Sequence, residues 1–270
     1  MFRKVIPISI AVFYALALPT SVFAQAQPEL HTFHCLDGCP VGAPAIDDIV
    51  VREIYTLASN DITKVADWVA YRITPESIGP SGERKWQADP WLDPSETLEP
   101  SDYAGAPTSL GIDRGHQAPL AAFSGTNFAN DTNILSNITP QGSPLNQAPW
   151  QRLEAKETAL SKTDKIAVYV LTGPLFERMM PPLPKADERH RVPSAYWKVV
   201  ATNDGRIASF IMDTSAARNL DHCDARVTLD EVELRARLIL FPRKSDRTFK
   251  DLSASLGCGA TPVTEPEPDE

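Results

Sequence analysis

The chain has 270 residues, of which 43% are hydrophobic, and it carries a formal net charge of −9. That much apolar material can close a sizeable core, so the fold does not depend on metals or cross-links. The acidic total excludes a uniformly basic surface of the kind that attracts polyanions, and it leaves room only for a local positive patch. No linker or repeat interrupts the sequence, and we expect one domain over 25–260.

The N-terminus has the order of a secretory signal peptide. A basic pair precedes an apolar run from Val5 to Leu18, and small residues follow at Ala24 and Ala26. The run is shorter than the roughly 18 apolar residues of a membrane-spanning helix. We therefore predict a signal peptide over 1–24, with cleavage after Ala26 as the alternative. The mature protein is expected to be secreted or periplasmic, without membrane insertion after signal removal.

The next elements are a strand and a loop. Val69, Tyr71 and Ile73 alternate with other residues, which predicts a half-buried strand within the segment from Ile49 to Thr74. The segment 89–107 is rich in Pro, Asp and Ser and predicts an irregular surface loop. Further strand-like runs span Ile166 to Leu171, Tyr196 to Ala201 and Ile207 to Met212.

Near the C-terminus, Thr228 to Glu231 has the form of a capping box and predicts the start of a helix. Four apolar residues at helical spacing follow it: Val232, Leu234, Leu238 and Leu240. The last segment, 261–270, is proline-rich and acidic, and we expect a disordered tail. Together these elements predict an α+β domain built around antiparallel strands.

The cysteines allow three pairings in an oxidising compartment. They are Cys35, Cys39, Cys223 and Cys258. The close spacing of the first two favours a local bridge, which leaves the other two as a second pair. The alternative is a metal site at Cys35 and Cys39 with His31 and His34 nearby, although no second matching pair supports it.

Two polar stretches indicate a functional site. The stretch 111–119 packs Asp113, Arg114 and His116 around a glycine, which makes it poor core material. An isolated histidine is more often a buried structural residue, but a second polar stretch at 133–141 and its continuation to 154 favour a site. On a helix, Asn146 and Glu154 would share one stripe with Trp150, unless the stripe is an ordinary surface face. Pro149 would kink that helix or delay its start.

Several segments, in order and at matching separations, resemble the DNA/RNA non-specific endonuclease family of the ββα-metal superfamily. The likeness runs from about Cys35 to Cys258 and includes the placement of all four cysteines. The segments are 113–116, 136–141, 145–147, 150–154, 68–71, Trp86 with 89–90, 172–175 and 193–199. The resemblance implies a ββα-metal nuclease fold, with a central antiparallel sheet flanked by helices.

The same resemblance implies how DNA and RNA would be cut without marked sequence or sugar specificity. His116 would be the general base that deprotonates the attacking water. Asn146 would be the single direct protein ligand of Mg²⁺, with Mn²⁺ as an alternative metal. Because the ion would stabilise the departing 3′ oxygen, the products should carry 5′ phosphates.

The remaining roles surround these two residues. By the resemblance, Glu154 would hold metal-bound waters, and Asn137 and Asp113 would orient the site around His116. Arg84 and Arg114 would neutralise charge on the phosphorane, although Arg84 could instead be a solvated surface charge.

The chain departs from the family pattern at one position. The family often has an arginine one helical turn after the glutamate, where this chain has Thr158. Either Arg152 or Lys156 substitutes for that arginine, or the contact is missing.

Two other functions remain open from the sequence. The first is an exported nucleic-acid-binding protein that retains the scaffold and has lost catalysis. The second is a metallohydrolase of another kind, which the lack of a His-Glu-x-x-His run disfavours. The sequons at Asn130 and Asn137 offer glycosylation as a competing reading of those asparagines. Similar nucleases form dimers, so a homodimer is an expectation, although no interface is evident.

Overall fold

The computed structural model describes residues 30–80 and 82–259. The predicted signal peptide and the predicted acidic tail lie outside these residues. The strands are β1 (Asp48–Val51), β2 (Tyr55–Asn60), β3 (Val65–Ile73), β4 (Ile112–His116), β5 (Ile138–Gly142), β6 (Val168–Leu175), β7 (Ala195–Thr202), β8 (Arg206–Asp213), β9 (Arg226–Val227) and β10 (Lys250–Asp251). The helices are α1 (Ala106–Leu110), α2 (Leu120–Phe123), α3 (Ser143–Leu145), α4 (Gln151–Asp164) and α5 (Leu229–Ala236).

A large sheet of eight strands forms the centre of the described structure. Its order is β1-β2-β3-β6-β7-β8-β10, with β9 paired to β8. All of its pairs are antiparallel except β10 with β8. A separate two-stranded antiparallel sheet pairs β4 with β5. The predicted α+β class, with a central antiparallel sheet and flanking helices, is confirmed.

The three strand-like runs become β6, β7 and β8, but the half-buried character predicted near Val69 is wrong. Val69, Tyr71 and Ile73 pack into one hydrophobic cluster, whereas Trp68 and Ala70 pack into another on the opposite face. Both faces of β3 are therefore covered. Helix α4 packs on the first face through Leu153 and Leu160, and α5 packs on the second through Val232.

Helix α5 begins as predicted and ends early. The Thr228 side chain accepts a hydrogen bond from the backbone N–H of Glu231, which caps the first turn. The helix stops at Ala236 because Arg237 adopts a left-handed conformation with φ 57°. Leu238 and Leu240 are buried beyond the helix and Leu234 is 78% exposed, so extending the helical pattern to Leu240 was wrong.

Both predicted disulfides form. Cys35 pairs with Cys39, and Cys223 pairs with Cys258. Because both sulfurs of the first pair are joined to each other, the alternative metal site at Cys35 and Cys39 is wrong. Within the described residues, no helix combines the length and apolarity needed to span a membrane.

His34, one of the two histidines of that alternative, is a structural side chain that should make stability depend on pH. It is 1% exposed, its Nε2 donates to the Glu53 carbonyl, and its Nδ1 lies 2.9 Å from Thr56 Oγ1. Burial lowers its pKa from 6.5 to about 4, and the hydrogen bond to Glu53 opposes that shift. Between pH 4 and pH 6.5 the unfolded chain binds more protons at His34 than the folded protein does. The stability that depends on a neutral His34 is therefore complete above pH 6.5 and is lost as the pH falls towards 4.

We expect the free energy of unfolding of the wild type to fall by about 2–3 kcal/mol more than that of His34→Gln between about pH 7.5 and pH 4.5. Urea unfolding curves at both pH values measure the difference. Equal pH dependence in the two proteins would show that folding does not lower the pKa of His34.

Candidate active site

The small β4–β5 sheet brings the first polar stretch to the edge of a cavity. Asp113, Arg114 and His116 line this cavity, which has a volume of ≈ 620 Å³. The two strands approach closely at Gly115, where a Cβ atom would lie 2.6 Å from Gln141 Cβ. A glycine here therefore lets the two strands approach closely while the side chains on either side of it reach the cavity.

The second stretch lines the same cavity. Asn146 and Glu154 line it, but Trp150 is 2% exposed and packs in the core. The predicted three-residue stripe is therefore only partly right. Residues Asn146–Trp150 form a π-helical turn that contains Pro149, between α3 and α4. The wider turn accommodates the proline and rotates Trp150 away from the line that joins the other two side chains.

His116 is held in the neutral form that a general base requires. Its Nε2 lies 3.0 Å from Asn133 Oδ1, and because an amide oxygen only accepts, we assign the ring proton to Nε2. This assignment leaves Nδ1 as the basic nitrogen. Burial lowers the pKa of His116 to about 4, and the nearby Arg84 adds to that effect against the opposing bond to Asn133. The ring also stacks beside Trp86, with centroids 5.3 Å apart.

Asp113 contacts Asn146, which differs from the predicted arrangement around His116. Its carboxylate accepts hydrogen bonds from Ser143 Oγ at 2.7 Å, Asn146 Nδ2 at 3.0 Å and Gln147 Nε2 at 2.8 Å. A carboxylate without a proton can only accept, so Asn146 must present its nitrogen to Asp113 and keep Oδ1 for another partner. The structure thus gives Asp113 the geometry to orient Asn146.

Asn137 is fully buried and links two backbone segments near His116. Its Oδ1 accepts from the Ala118 N–H, and its Nδ2 donates to the carbonyls of Ala118 and Thr132. These bonds tie the residues after His116 to the residues before Asn133. Since its side chain is 0% exposed, the glycosylation reading of Asn137 is wrong. Asn130 is exposed, and nothing tests that sequon.

Two arginines border the cavity with different degrees of restraint. Arg114 lies between two aromatic rings, with Cζ 5.5 Å from Trp86 and 5.2 Å from Tyr103. Its Nη2 donates to the Pro100 carbonyl, whereas its buried Nε has no hydrogen-bond partner in the described part of the chain. Arg84 is exposed and lines the same cavity. The cavity wall therefore offers one fixed and one more mobile cation to an anionic group.

Glu154 forms the floor of the cavity. Its side chain is 16% exposed, and its Oε1 has no hydrogen-bond partner within the described residues. Burial raises the pKa of Glu154 to about 7; Lys198 lowers it and Glu157 adds to the rise. A carboxylate oxygen that is shielded from solvent and accepts no hydrogen bond within the described residues suits a bound cation or its water shell.

Comparison with known proteins identifies the family. The model of DNA/RNA non-specific endonucleases matches residues 38–247. A nuclease of Serratia marcescens is 44% identical over 249 residues, which cover 89% of this chain and 92% of the relative. This chain belongs to the DNA/RNA non-specific endonuclease family. It is a nuclease, and the reading as another kind of metallohydrolase is removed.

Two further similarities agree. Nuclease C1 of Cunninghamella echinulata var. echinulata is 30% identical over 237 residues, which cover 79% of this chain and 90% of the relative. The crystal structure of the EndoG/EndoGI complex contains a chain with a TM-score of 0.66 and 24% identity. That match covers 77% of the nuclease described here and 91% of the solved chain, and it supports the fold alone.

No charged side chain of the described residues replaces, in the cavity of this nuclease, the arginine that the family often has at the position of Thr158. Thr158 lines the cavity, and its Oγ1 donates to backbone carbonyls of its own helix. Arg152 donates to the carbonyls of Arg218 and Leu220 and does not line the cavity. The ammonium of Lys156 lies beside Gly257, also outside the cavity lining. Neither predicted substitute reaches the wall where the arginine would stand.

Thr158→Arg is therefore expected to raise kcat/KM by about 10- to 150-fold, because a charge-assisted bond to phosphate is worth about 1.5–3 kcal/mol. Initial rates on plasmid DNA and on RNA measure the effect. Thr158→Gln, which adds length without charge, is the matched control. If the two variants behave alike, the cavity does not need a cation at this position.

Sequence reasoning missed three contacts of the nuclease site. Asn133 and Gln147 lie in the polar stretches, but their sequence neighbours gave no sign of the bonds to His116 and Asp113. Trp86 was part of the family resemblance without a role, and it packs against His116 and Arg114. Each contact joins residues at least 17 positions apart, so no local periodicity predicts it.

Proposed function

We propose that this nuclease is an exported, Mg²⁺-dependent enzyme that hydrolyses DNA and RNA internally and leaves 5′ phosphates. The observation that carries the proposal is the convergence of a neutral His116, Asn146 and Glu154 on one cavity, with arginines at its wall. These groups match the needs of phosphodiester hydrolysis: a base for water, a site for a cation and positive charge for the phosphate.

The donor set fits Mg²⁺. Asn146 Oδ1 is an uncharged oxygen ligand left available by the bond from Nδ2 to Asp113, and Glu154 Oε1 is a buried oxygen without a hydrogen-bond partner among the residues that the structure describes. Mg²⁺ binds few protein ligands, keeps several waters and prefers oxygen. Asn146 would hold the ion directly and Glu154 would hold its waters. When bound, the ion supplies Lewis-acid stabilisation of the phosphate and of the departing 3′ oxygen; Mn²⁺ has the same oxygen preference and is the alternative.

The protein residues then divide the remaining work. His116 Nδ1 takes a proton from the attacking water, while Asn133 keeps the other ring nitrogen protonated and the ring in place. The neutral imidazole is available at neutral pH because burial lowers its pKa. Arg114 donates to the phosphate oxygens from a fixed position, and Arg84 adds charge at the rim. Asp113 keeps the Asn146 carboxamide in one orientation.

Low sequence preference follows from these contacts. Arginine, metal and histidine act on phosphate and water and do not read base edges. The net charge of −9 limits non-specific affinity, so the local arginines must carry phosphate binding. Activity is therefore expected to fall as salt rises.

Export is supported by two disulfides, which persist in oxidising compartments and are rare in the cytosol. A homodimer remains a prediction, and sedimentation velocity of the purified protein tests it. Neither property enters the proposed chemistry.

The test is digestion of plasmid DNA and of RNA by the purified protein with Mg²⁺, with Mn²⁺ and with EDTA. We expect both polymers to be cut only with metal and the fragment ends to be substrates for a 5′-phosphate-dependent exonuclease. Binding without cutting under every condition would support the inactive scaffold instead. Fragments with 5′ hydroxyl ends would contradict the proposed role of the metal at the 3′ oxygen.

A further inference from the structure

Lys198 is a buried cation for which the proposed chemistry gives no role. It lies in the middle of β7 with a side-chain exposure of 0%. Its Nζ is 3.1 Å from Glu157 Oε1, 3.7 Å from Glu154 Oε1 and 4.3 Å from the centroid of the Trp150 ring. It belongs to the segment 193–199, which contributed to the family resemblance without any assigned function.

The burial of these charges calls for an explanation. An ammonium removed from water loses several kcal/mol of solvation, and an apolar side chain of the same volume is often at least as stable in its place. Glu157 is also fully buried, and its Oε2 accepts from Tyr71 Oη at 2.9 Å. The group therefore contains one ammonium and two carboxylates, of which only Glu154 reaches the cavity.

The contacts are asymmetric. Glu157 is held by both Tyr71 and Lys198, so its position is fixed from two sides. Glu154 contacts only the ammonium of this group, at a distance that is an ion pair and not a hydrogen bond. One Glu154 oxygen is thus attracted by the charge of Lys198 and accepts no hydrogen bond from residues 30–80 and 82–259. Without Lys198, two carboxylates would face each other across a buried space, and their repulsion would displace the less restrained one, Glu154.

We propose that Lys198 is a positioning residue that, braced by Glu157 and Tyr71, holds the Glu154 carboxylate in its working position at the floor of the cavity. The central strand β7 supplies the rigidity, since it is hydrogen-bonded to β6 on one side and β8 on the other. Lys198 itself does not line the cavity and touches no substrate. The inference rests on the proposed function of Glu154.

A double-mutant cycle tests the link. The four proteins are the wild type, Lys198→Met, Glu154→Gln and the double variant, and kcat and KM are measured on the same DNA. We expect Lys198→Met to lower kcat by about 10- to 100-fold, as loss of an outer-shell partner does. In the Glu154→Gln background the same change should have almost no effect on kcat, because the residue through which it acts is already neutral.

A stability control separates positioning from general damage. Thermal unfolding in EDTA is recorded for all four proteins and for Val232→Ala, a core deletion on the opposite face of the sheet. Val232→Ala should lower the melting temperature and leave kcat unchanged at temperatures where the protein is folded. If Lys198→Met fails to fold, Lys198→Met combined with Glu157→Met removes the buried pair together and serves as the starting point of the same cycle.

The outcomes are distinct. An equal fold-loss of kcat from Lys198→Met in both backgrounds overturns the link between Lys198 and Glu154 while leaving the proposed function intact. Wild-type activity in Glu154→Gln contradicts the proposed role of Glu154 and the inference with it. A kcat loss from Lys198→Met that occurs only in the protein that keeps Glu154 supports the positioning role.

Discussion

His116→Ala is expected to lower kcat by about 100- to 10,000-fold on both DNA and RNA, the range that a positioned general base contributes. The neutral ring presents Nδ1 to the cavity because Nε2 is bonded to Asn133. Alanine leaves the cavity, the arginines and Asn146 in place, so substrate binding should change little and the loss should appear in kcat and not in KM. Initial rates with saturating Mg²⁺ measure both constants.

The matched control is His190→Gln. His190 is bonded within its own loop, accepts from the Leu183 N–H and does not line the cavity. It should keep wild-type kcat. The kcat of Asn133→Ala should lie between those of His116→Ala and His190→Gln, since this change removes the hydrogen bond that orients His116 and keeps the base. A loss below about 10-fold for His116→Ala would assign proton removal to another group.

The strands were predictable because their signal is local. The runs that became β6, β7 and β8 are apolar and bounded by turn-forming residues. They could be recognised as strands without knowing which strands they pair with. The burial of each strand face was harder to predict. The alternation around Val69 is real, but Trp68 and Ala70 are apolar too, and only the tertiary structure shows that both faces are covered.

The ends of the helices depended on single backbone conformations. Arg237 ends α5 in a left-handed conformation that no residue preference predicts, because arginine rarely adopts it. In the same way, the π-helical turn around Pro149 redirected Trp150 and left Asn146 and Glu154 in one cavity. The sequence spacing therefore predicted correctly that Asn146 and Glu154 share a site, and wrongly that Trp150 shares it with them.

The site residues came from a resemblance, and the structure assembled them differently in one respect. Asp113 was expected around His116, yet it accepts a hydrogen bond from Asn146 across a separation of 33 residues. The resemblance placed Asp113 near His116 but did not specify its hydrogen-bond partners, which come from residues 143–147. The bonding partners Asn133 and Lys198 were equally inaccessible, because only the packed fold brings them to His116 and Glu154.

Asn146→Ala is expected to abolish metal-dependent cleavage almost entirely, with a loss of at least about 100-fold in kcat at fixed Mg²⁺. Asn146 is the proposed single direct ligand, so no other side chain can take over the bond from its Oδ1. Its carboxamide is oriented by Asp113, which should therefore show the weaker effect typical of an outer-shell residue, about 10- to 100-fold for Asp113→Asn.

Calorimetric titration of the metal-free protein with Mg²⁺ distinguishes ligand loss from loss of chemistry. Asn146→Ala should bind Mg²⁺ far more weakly than the wild type, whereas His116→Ala should bind it normally and still fail to cut. Gln147→Ala is the matched control, because Gln147 donates to the same Asp113 carboxylate from an exposed position. If Asn146→Ala retains wild-type metal affinity, the ion is held elsewhere and Asn146 acts on the substrate alone. If metal affinity and turnover fall together in Asn146→Ala, whereas His116→Ala loses turnover alone, metal binding belongs to Asn146 and proton transfer to His116.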